Sequence, residues 1–100
     1  MTTFHMPVSP DVRELLDAIA DEMVGQFGIT RAEAVARINQ QWHRHDLSGE
    51  NEIILHEDEH YWALAIYFGE VPDWSPTADR SKWTPKSVPP RDSGHWPVAD

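Results

Sequence analysis

Apolar residues recur every three or four positions between residues 12 and 27, which is the spacing of a helix with one buried face. The segment opens with Ser9 and Pro10, a pair typical of helix N-termini, and Gly28 follows as a natural helix stop. Acidic residues occupy much of the opposite face. The pattern therefore predicts a first helix between these signals. Its core-facing stripe comprises Val12, Leu15, Leu16, Ile19, Ala20, Met23 and Phe27.

A second helix is predicted directly after this stop. Thr30 and Glu33 form a capping box, in which each side chain satisfies a backbone amide at the start of a helix. The helical spacing continues to about residue 44, and the short connection requires the two helices to pack as a hairpin or a corner. The apolar positions are Ala32, Val35, Ile38 and Trp42, with Arg31, Arg37 and Gln40 between them.

The third segment, over about residues 58–68, is apolar on every side from Tyr61 onwards. A helix of this kind must be covered on all sides, so we expect the first two helices and the C-terminal residues to enclose it. A buried β-strand is the alternative, because short runs rich in aromatic and branched residues are ambiguous. The short apolar segment 53–55 is expected to pack into the core.

Residues 70–100 contain six prolines and three tryptophans. Proline removes backbone donors and fixes the backbone, which excludes long helices and central strands. Because tryptophan is costly to leave in water, we expect an extended wrap that docks Trp74 and Trp83 on the third helix, with residues 86–94 remaining mobile.

The sequence thus predicts a single mainly α domain over residues 1–100. A compact bundle of about three helices forms a body over about 9–69, and an irregular, Pro- and Trp-rich C-terminal segment covers about 70–100.

Charge is distributed unevenly along the chain. Residues 1–69 hold four arginines and twelve acidic residues, a net charge of −8, whereas residues 70–100 carry only −1. The total of −9 opposes binding to nucleic acid or to an anionic membrane, since both require clustered positive charge. It is compatible with solubility alone or with a basic protein partner.

The composition favours a cytoplasmic protein. The chain contains no cysteine, which excludes disulfides and thiolate metal sites and fits a reducing compartment. Residues 1–7 lack the basic and apolar regions of a signal peptide, and the longest apolar run, residues 61–68, is far too short to span a membrane. We therefore expect a cytoplasmic localisation and no membrane partner.

Residues 56–60 read His-Glu-Asp-Glu-His and match the H-E-x-x-H pattern of zinc peptidases. Residues four apart lie on one face of a helix, so His56 and His60 could ligate one zinc ion while Glu57 acts as general base. This gives one functional alternative, a compact zinc hydrolase.

Three features of the same stretch count against zinc. The extended form of the motif requires glycine and histidine where this chain has Ala63 and Ile66. The two variable positions, Asp58 and Glu59, are both charged. Acidic residues also concentrate in the first turn of helices, where they oppose the positive end of the dipole. The favoured interpretation is therefore an acidic helix start with solvated histidines, no catalytic residue and no cofactor.

Histidines 43, 45, 56 and 60 fall within eighteen residues, so the intervening loop could bring them together as a structural metal site or a pH-responsive patch. The favoured interpretation only places His43 and His45 at a helix C-terminus, with no further role implied.

A helix-turn-helix motif is suggested by Gly28-Ile29-Thr30-Arg31, which resembles the start of a DNA-recognition helix, but Glu33 lies where bases would be contacted. We therefore expect no nucleic-acid partner.

Several short stretches carry a resemblance. Residues 29–34 read Ile-Thr-Arg-Ala-Glu-Ala, residues 55–58 read Leu-His-Glu-Asp, and Tyr-Trp-Ala at 61–63 is followed by Ile-Tyr at 66–67. Over about residues 10–75 this pattern is similar to a group of small, uncharacterised bacterial cytosolic proteins. The resemblance implies a bacterial, cytosolic origin and brings no assigned activity.

These observations favour a small, acidic, non-catalytic protein-interaction module that binds a basic protein, as immunity proteins and antitoxins do. The expectation rests on the negative body and on more aromatic residues than a small core needs. The residues expected to contact the partner are Glu50, Glu52, Asp58, Glu59, Trp83 and Trp96.

Overall fold

The computed structural model describes residues 4–49, 53–75 and 77–97. Within these ranges the chain forms three α-helices and one turn of 3₁₀ helix. Helix α1 spans Pro10–Phe27, α2 spans Arg31–Gln41 and α3 spans Glu59–Phe68, with the 3₁₀ turn at Ile53–His56. Within those ranges there is no β-strand, only a single bridge between Val8 and Leu47. The prediction of a mainly α bundle is confirmed, and the apolar run after residue 60 is a helix rather than a strand.

Helices α1 and α2 begin at the predicted caps, and α3 begins within the predicted acidic stretch, directly after Asp58. The side chains of Ser9, Thr30 and Asp58 each accept a hydrogen bond from the backbone amide of the third residue of their helix, at 3.2, 3.0 and 2.9 Å. Gly28 ends α1 in the left-handed conformation, with φ of 67°. The predicted end of the second helix is three residues too late, because the backbone leaves helical geometry at Trp42.

The core lies between α1 and the two later helices, and both terminal segments close it. Its α1 side is the predicted stripe, with Leu15 and Phe27 only partly buried. Ala63 and Ile66 contribute from α3, and Ile54 from the 3₁₀ turn. The other buried members are Phe4, Met6, Ala34, Val35, Ile38, Trp42 and Leu47.

The middle of helix α2 is buried on every side. Residues 34–39 are buried without interruption, including Arg37 at 4% exposure and Asn39 at 1%. The helical spacing marks Arg37 only as a polar residue between apolar positions, yet both polar side chains are buried. The physical reason is that the terminal segments cross α2 and supply polar partners for both side chains.

Two side chains of α2 hold those terminal segments. Asn39 Oδ1 accepts a hydrogen bond from the backbone N–H of His5 at 2.9 Å, and Asn39 Nδ2 donates to the carbonyl of His95 at 2.7 Å. Arg37 Nη1 donates to the carbonyl of Lys86 at 2.9 Å. Helix α2 is therefore the element on which the N-terminal and C-terminal segments meet.

The C-terminal segment also packs on α3, as predicted. The backbone N–H of Lys86 donates to the carbonyl of Tyr67 at 2.8 Å. Trp83 contacts Phe68 edge to face, with ring centroids 5.2 Å apart, and Trp74 stacks on Tyr61. The predicted docking of both tryptophans on α3 is confirmed, although half of the surface of Trp74 stays exposed.

Candidate functional site

The His-Glu-Asp-Glu-His stretch does not lie on one helix. His56 ends the 3₁₀ turn, Asp58 is the N-cap of α3, and His60 lies in the first turn of that helix. Since the chain changes conformation between the two histidines, their four-residue spacing does not give them a common helix face. The predicted acidic helix start is confirmed, whereas the single-helix geometry assumed for His56, Glu57 and His60 is absent.

His60 instead takes part in a polar network that joins α1, α3 and the C-terminal segment. Its Nδ1 lies 2.8 Å from Gln26 Nε2 and 3.4 Å from Glu22 Oε1. Arg80 donates to Gln26 Oε1 at 2.8 Å, and Glu22 accepts from Gln26 Nε2. Because these two charged groups fix the orientation of the Gln26 amide, Nδ1 of a neutral His60 accepts the hydrogen bond from Gln26. Across the described ranges, no three histidine or carboxylate side chains are grouped so as to hold a metal ion.

Another histidine group forms where the terminal segments cross the end of α2. The rings of His43 and His95 meet edge to face, with centroids 5.0 Å apart. Burial lowers the pKa of His95, and charge on His43 and then on His5 lowers it further. The sequence suggests a different group, His43 with His45, His56 and His60, because no local spacing indicates a contact between residues as far apart as His43 and His95.

The most exposed aromatic side chain of the C-terminal segment belongs to a stacked pair. The rings of Trp74 and Tyr61 lie 4.8 Å apart at an interplanar angle of 8°, and Trp74 is 50% exposed. Exposed carboxylates adjoin both rings in the chain: Asp58 accepts from the backbone N–H of Tyr61, and Asp73 directly precedes Trp74. We call Asp58, Tyr61, Asp73 and Trp74 the Trp74 patch.

The carboxylates of this patch differ from those of α1 in their pairing. On α1, Asp17 and Asp21 each lie 2.8 Å from the guanidinium of Arg31. None of the ion pairs formed among the described residues involves Asp58 or Asp73. The negative charge of Asp58 and Asp73 is therefore less compensated than that of Asp17 and Asp21.

The other residues predicted to contact a partner lie in different surroundings. Glu59 is half-buried in the first turn of α3, and Trp83 is half-buried against Phe68. Trp96 is half-buried as well, and its Nε1 donates to the carbonyl of Pro89 at 2.9 Å. Glu50 and Glu52 lie outside the described residues. The sequence predicts only docking on α3 for Trp74, because its exposure depends on how far the C-terminal segment covers it.

Neither a protein-family model, nor a curated protein, nor a solved structure matches this chain. Among the described residues, no helix combines the length and hydrophobicity needed to cross a membrane. The described surface carries one half-exposed aromatic stack, that of Trp74 on Tyr61.

Proposed function

We propose that this chain is a small, acidic, non-catalytic interaction module that binds a basic protein through the Trp74 patch. The observation that carries the proposal is a half-exposed tryptophan stacked on a tyrosine. Exposed carboxylates close to both rings in the chain, Asp58 and Asp73, form no ion pair among the described residues. Tryptophan and tyrosine are enriched among the few residues that supply most of the binding energy at interfaces.

The stack reduces the entropic cost of binding. A tryptophan free to change rotamer would lose that freedom in a complex, whereas Trp74 already lies parallel to Tyr61. Tyr61 is itself held by its position in the first turn of α3 and by an edge-to-face contact with Trp62 at 4.9 Å. The aromatic surface is thus presented in a defined orientation by a helix of the core.

The net charge of the chain favours basic partners over acidic ones. A net charge of −9 attracts basic partners over long range and repels acidic ones, which accelerates encounter with the former. Acidity alone serves solubility in many proteins. The exposed aromatic stack is what distinguishes a binding surface from a merely solvated one.

A basic partner, the small size and the lack of cysteine fit an immunity- or antitoxin-like role in a bacterial cytoplasm. In such a role, the module neutralises the partner by covering its positive surface. No reacting group is required of the module itself.

Partner capture with matched variants tests the proposal. Tagged wild-type protein, Trp74→Ala and Val88→Ala are incubated with lysate of the source cells, and bound proteins are quantified by mass spectrometry. Val88 is the control because it is an apolar side chain of the same segment with almost the same exposure, 49%. We expect a basic protein whose recovery falls at least about ten-fold with Trp74→Ala, as for removal of a binding hot spot, and is unchanged with Val88→Ala. Equal recovery with all three proteins would contradict the proposed surface.

A further inference from the structure

The geometry of the stack leaves one face of the Trp74 indole open. Because the two rings are nearly parallel, at 8°, Tyr61 covers one face of the indole across a centroid distance of 4.8 Å. Trp74 nevertheless remains 50% exposed, so the uncovered surface includes the opposite face. A flat aromatic face of this kind accepts a cation or another flat group.

Elsewhere in this protein, aromatic rings are covered by guanidinium groups. The Cζ atom of Arg91 lies 3.7 Å from the ring centroid of Trp96, and that of Arg37 lies 4.8 Å from the ring of Tyr67. Arg13 lies over Phe4 at a longer distance, 5.5 Å. All three distances fall within the range of about 6 Å in which a cation is attracted to a ring face. Guanidinium stacking is therefore a contact that this chain already uses to cover its own aromatic surfaces.

The surrounding charge selects a cation for the open face of Trp74. Asp58 lies three residues before Tyr61 and Asp73 directly precedes Trp74, and both are exposed, as is Glu57. Each of the two aspartates accepts one backbone N–H bond, from Tyr61 and from Ser75, which leaves its negative charge without an ion-pair partner among the described residues. A guanidinium uses this combination better than an ammonium, since it is planar, weakly hydrated and able to stack on a ring while donating in its own plane to a carboxylate. Lysine offers a compact, strongly hydrated charge without a stacking plane.

We infer that the partner inserts an arginine side chain at the Trp74 patch, with its guanidinium stacked on the open indole face and its N–H groups directed to the carboxylates of the patch. The inference rests on the proposed function and adds to it the chemical group that is recognised. It makes Trp74 the residue that distinguishes arginine from lysine, while Asp58 and Asp73 favour positive charge of either kind.

A titration observed at the tryptophan side chains tests the inference. Two capped pentapeptides of equal length and charge, one with two arginines and one with two lysines in a glycine background, are added to protein labelled with ¹⁵N. The indole N–H signal of Trp74 is assigned as the one that disappears in Trp74→Ala. We expect this signal to shift, and the arginine peptide to bind about five-fold more tightly than the lysine peptide, in keeping with the strength of a partly solvated cation–π contact.

Variants separate stacking from simple charge attraction. Trp74→Ala is expected to bind both peptides weakly and equally, Trp74→Phe to retain part of the preference, and Val88→Ala to behave as wild type. Thermal unfolding of each variant establishes that the fold is intact, and the partly exposed position of Trp74 makes a large loss of stability unexpected. Equal affinity of wild-type protein for the two peptides, or shifts confined to the other indoles, would overturn the inference. So would self-association of the protein that buries Trp74 in a second copy.

The outcome is distinguishable from failure of the proposed function. If a basic protein is captured through Trp74 but the peptides bind equally, the module stands and the arginine preference is wrong. If the arginine peptide is preferred but no partner depends on Trp74, the site binds guanidinium groups and the proposed protein-binding role fails.

Discussion

Removing the buried guanidinium of α2, through Arg37→Met, is expected to reduce the free energy of unfolding by about 2–4 kcal/mol. Arg37 is 4% exposed and makes three contacts: Nε lies 2.9 Å from Glu33 Oε2, Nη1 donates to the Lys86 carbonyl at 2.9 Å, and the guanidinium lies 4.8 Å from the Tyr67 ring. Methionine retains most of the apolar stem but none of the donors. The carboxylate of Glu33 and the carbonyl of Lys86 are therefore left without this partner.

The magnitude follows from what the substitution leaves behind. Breaking a buried ion pair by removing one partner costs about 3–5 kcal/mol, because the remaining charge is buried and uncompensated. The side chain of Glu33 is 20% exposed, so water recovers part of that cost. Loss of the cation–π contact adds about 0.5–2 kcal/mol. The total loss of unfolding free energy is smaller than the sum of these contributions, because Lys86 is exposed and its carbonyl can accept a hydrogen bond from water instead.

A second arginine on the same helix provides the control. Arg31 lies 2.8 Å from both Asp17 and Asp21, but its side chain is 47% exposed. Exposed ion pairs contribute about 0–1 kcal/mol, so Arg31→Met is expected to be nearly neutral in spite of its two short contacts. Burial, rather than the number of ion pairs, should determine the difference.

Urea-induced unfolding at pH 7, followed by far-ultraviolet circular dichroism, measures both variants. Thermal unfolding gives a second readout: in a domain of this size 1 kcal/mol corresponds to about 4–8 °C in Tm, so Arg37→Met should melt about 8–32 °C below wild type. The double variant Glu33→Met/Arg37→Met removes both charges and should recover part of the loss. If Arg37→Met is no less stable than Arg31→Met, the assignment of Arg37 as a buried link between α2 and the C-terminal segment is wrong.

Three further results are expected. The folded protein lowers the pKa of His95 below the ordinary histidine value of 6.5. As the pH falls, the unfolded chain therefore takes up a proton at a higher pH than the folded chain does. The free energy of unfolding should therefore decrease as the pH falls from 6.5 toward that lowered pKa, and His95→Gln should flatten this slope in urea titrations. A slope unchanged by the substitution would show that His95 does not contribute to it. Elemental analysis of tag-free protein should find a zinc content that is the same in wild type and His60→Ala, and one zinc per chain lost on that substitution would instead support the hydrolase. Gly69→Ala should lower the stability by about 1–3 kcal/mol in the same urea assay, because Gly69 has φ of 76° and a Cβ there would lie 2.9 Å from the Lys86 side chain; full stability would show that the backbone relaxes.

The helices could be predicted because their signals are local. The Ser9 and Thr30 caps lie within three residues of the amides they accept from, and Gly28 ends α1 by its own backbone preference. The apolar spacing of α1 also depends only on neighbouring residues. The acidic start of α3 belongs to the same class, since Asp58 caps the helix and thereby separates His56 from the helix that carries His60.

Burial of polar side chains on α2 could not be predicted, because its partners are distant in the chain. Arg37 is paired with the carbonyl of Lys86, 49 residues later, and Asn39 with that of His95, 56 residues later. No periodic pattern encodes such contacts. A continuous run of buried positions from 34 to 39 contains both polar residues, and only the paths of the terminal segments explain it.

The Trp74 patch was partly predictable. Its acidic neighbours and its aromatic residues are plain in the sequence, and docking of Trp74 on α3 follows from the cost of leaving tryptophan in water. The extent of that docking does not follow. Since Trp74 stacks by one face only, its exposure depends on the path of the C-terminal segment after Val71.

Site-specific photo-cross-linking in the source cells tests the central claim most directly. A photoreactive phenylalanine analogue is incorporated at position 74 in one sample and at position 88 in another, two sites of nearly equal exposure in the same segment. We expect a cross-link from position 74 to a basic protein and none to that protein from position 88. Cross-linking to the same partner from both positions, or from position 88 alone, would contradict a binding surface at the Trp74 patch.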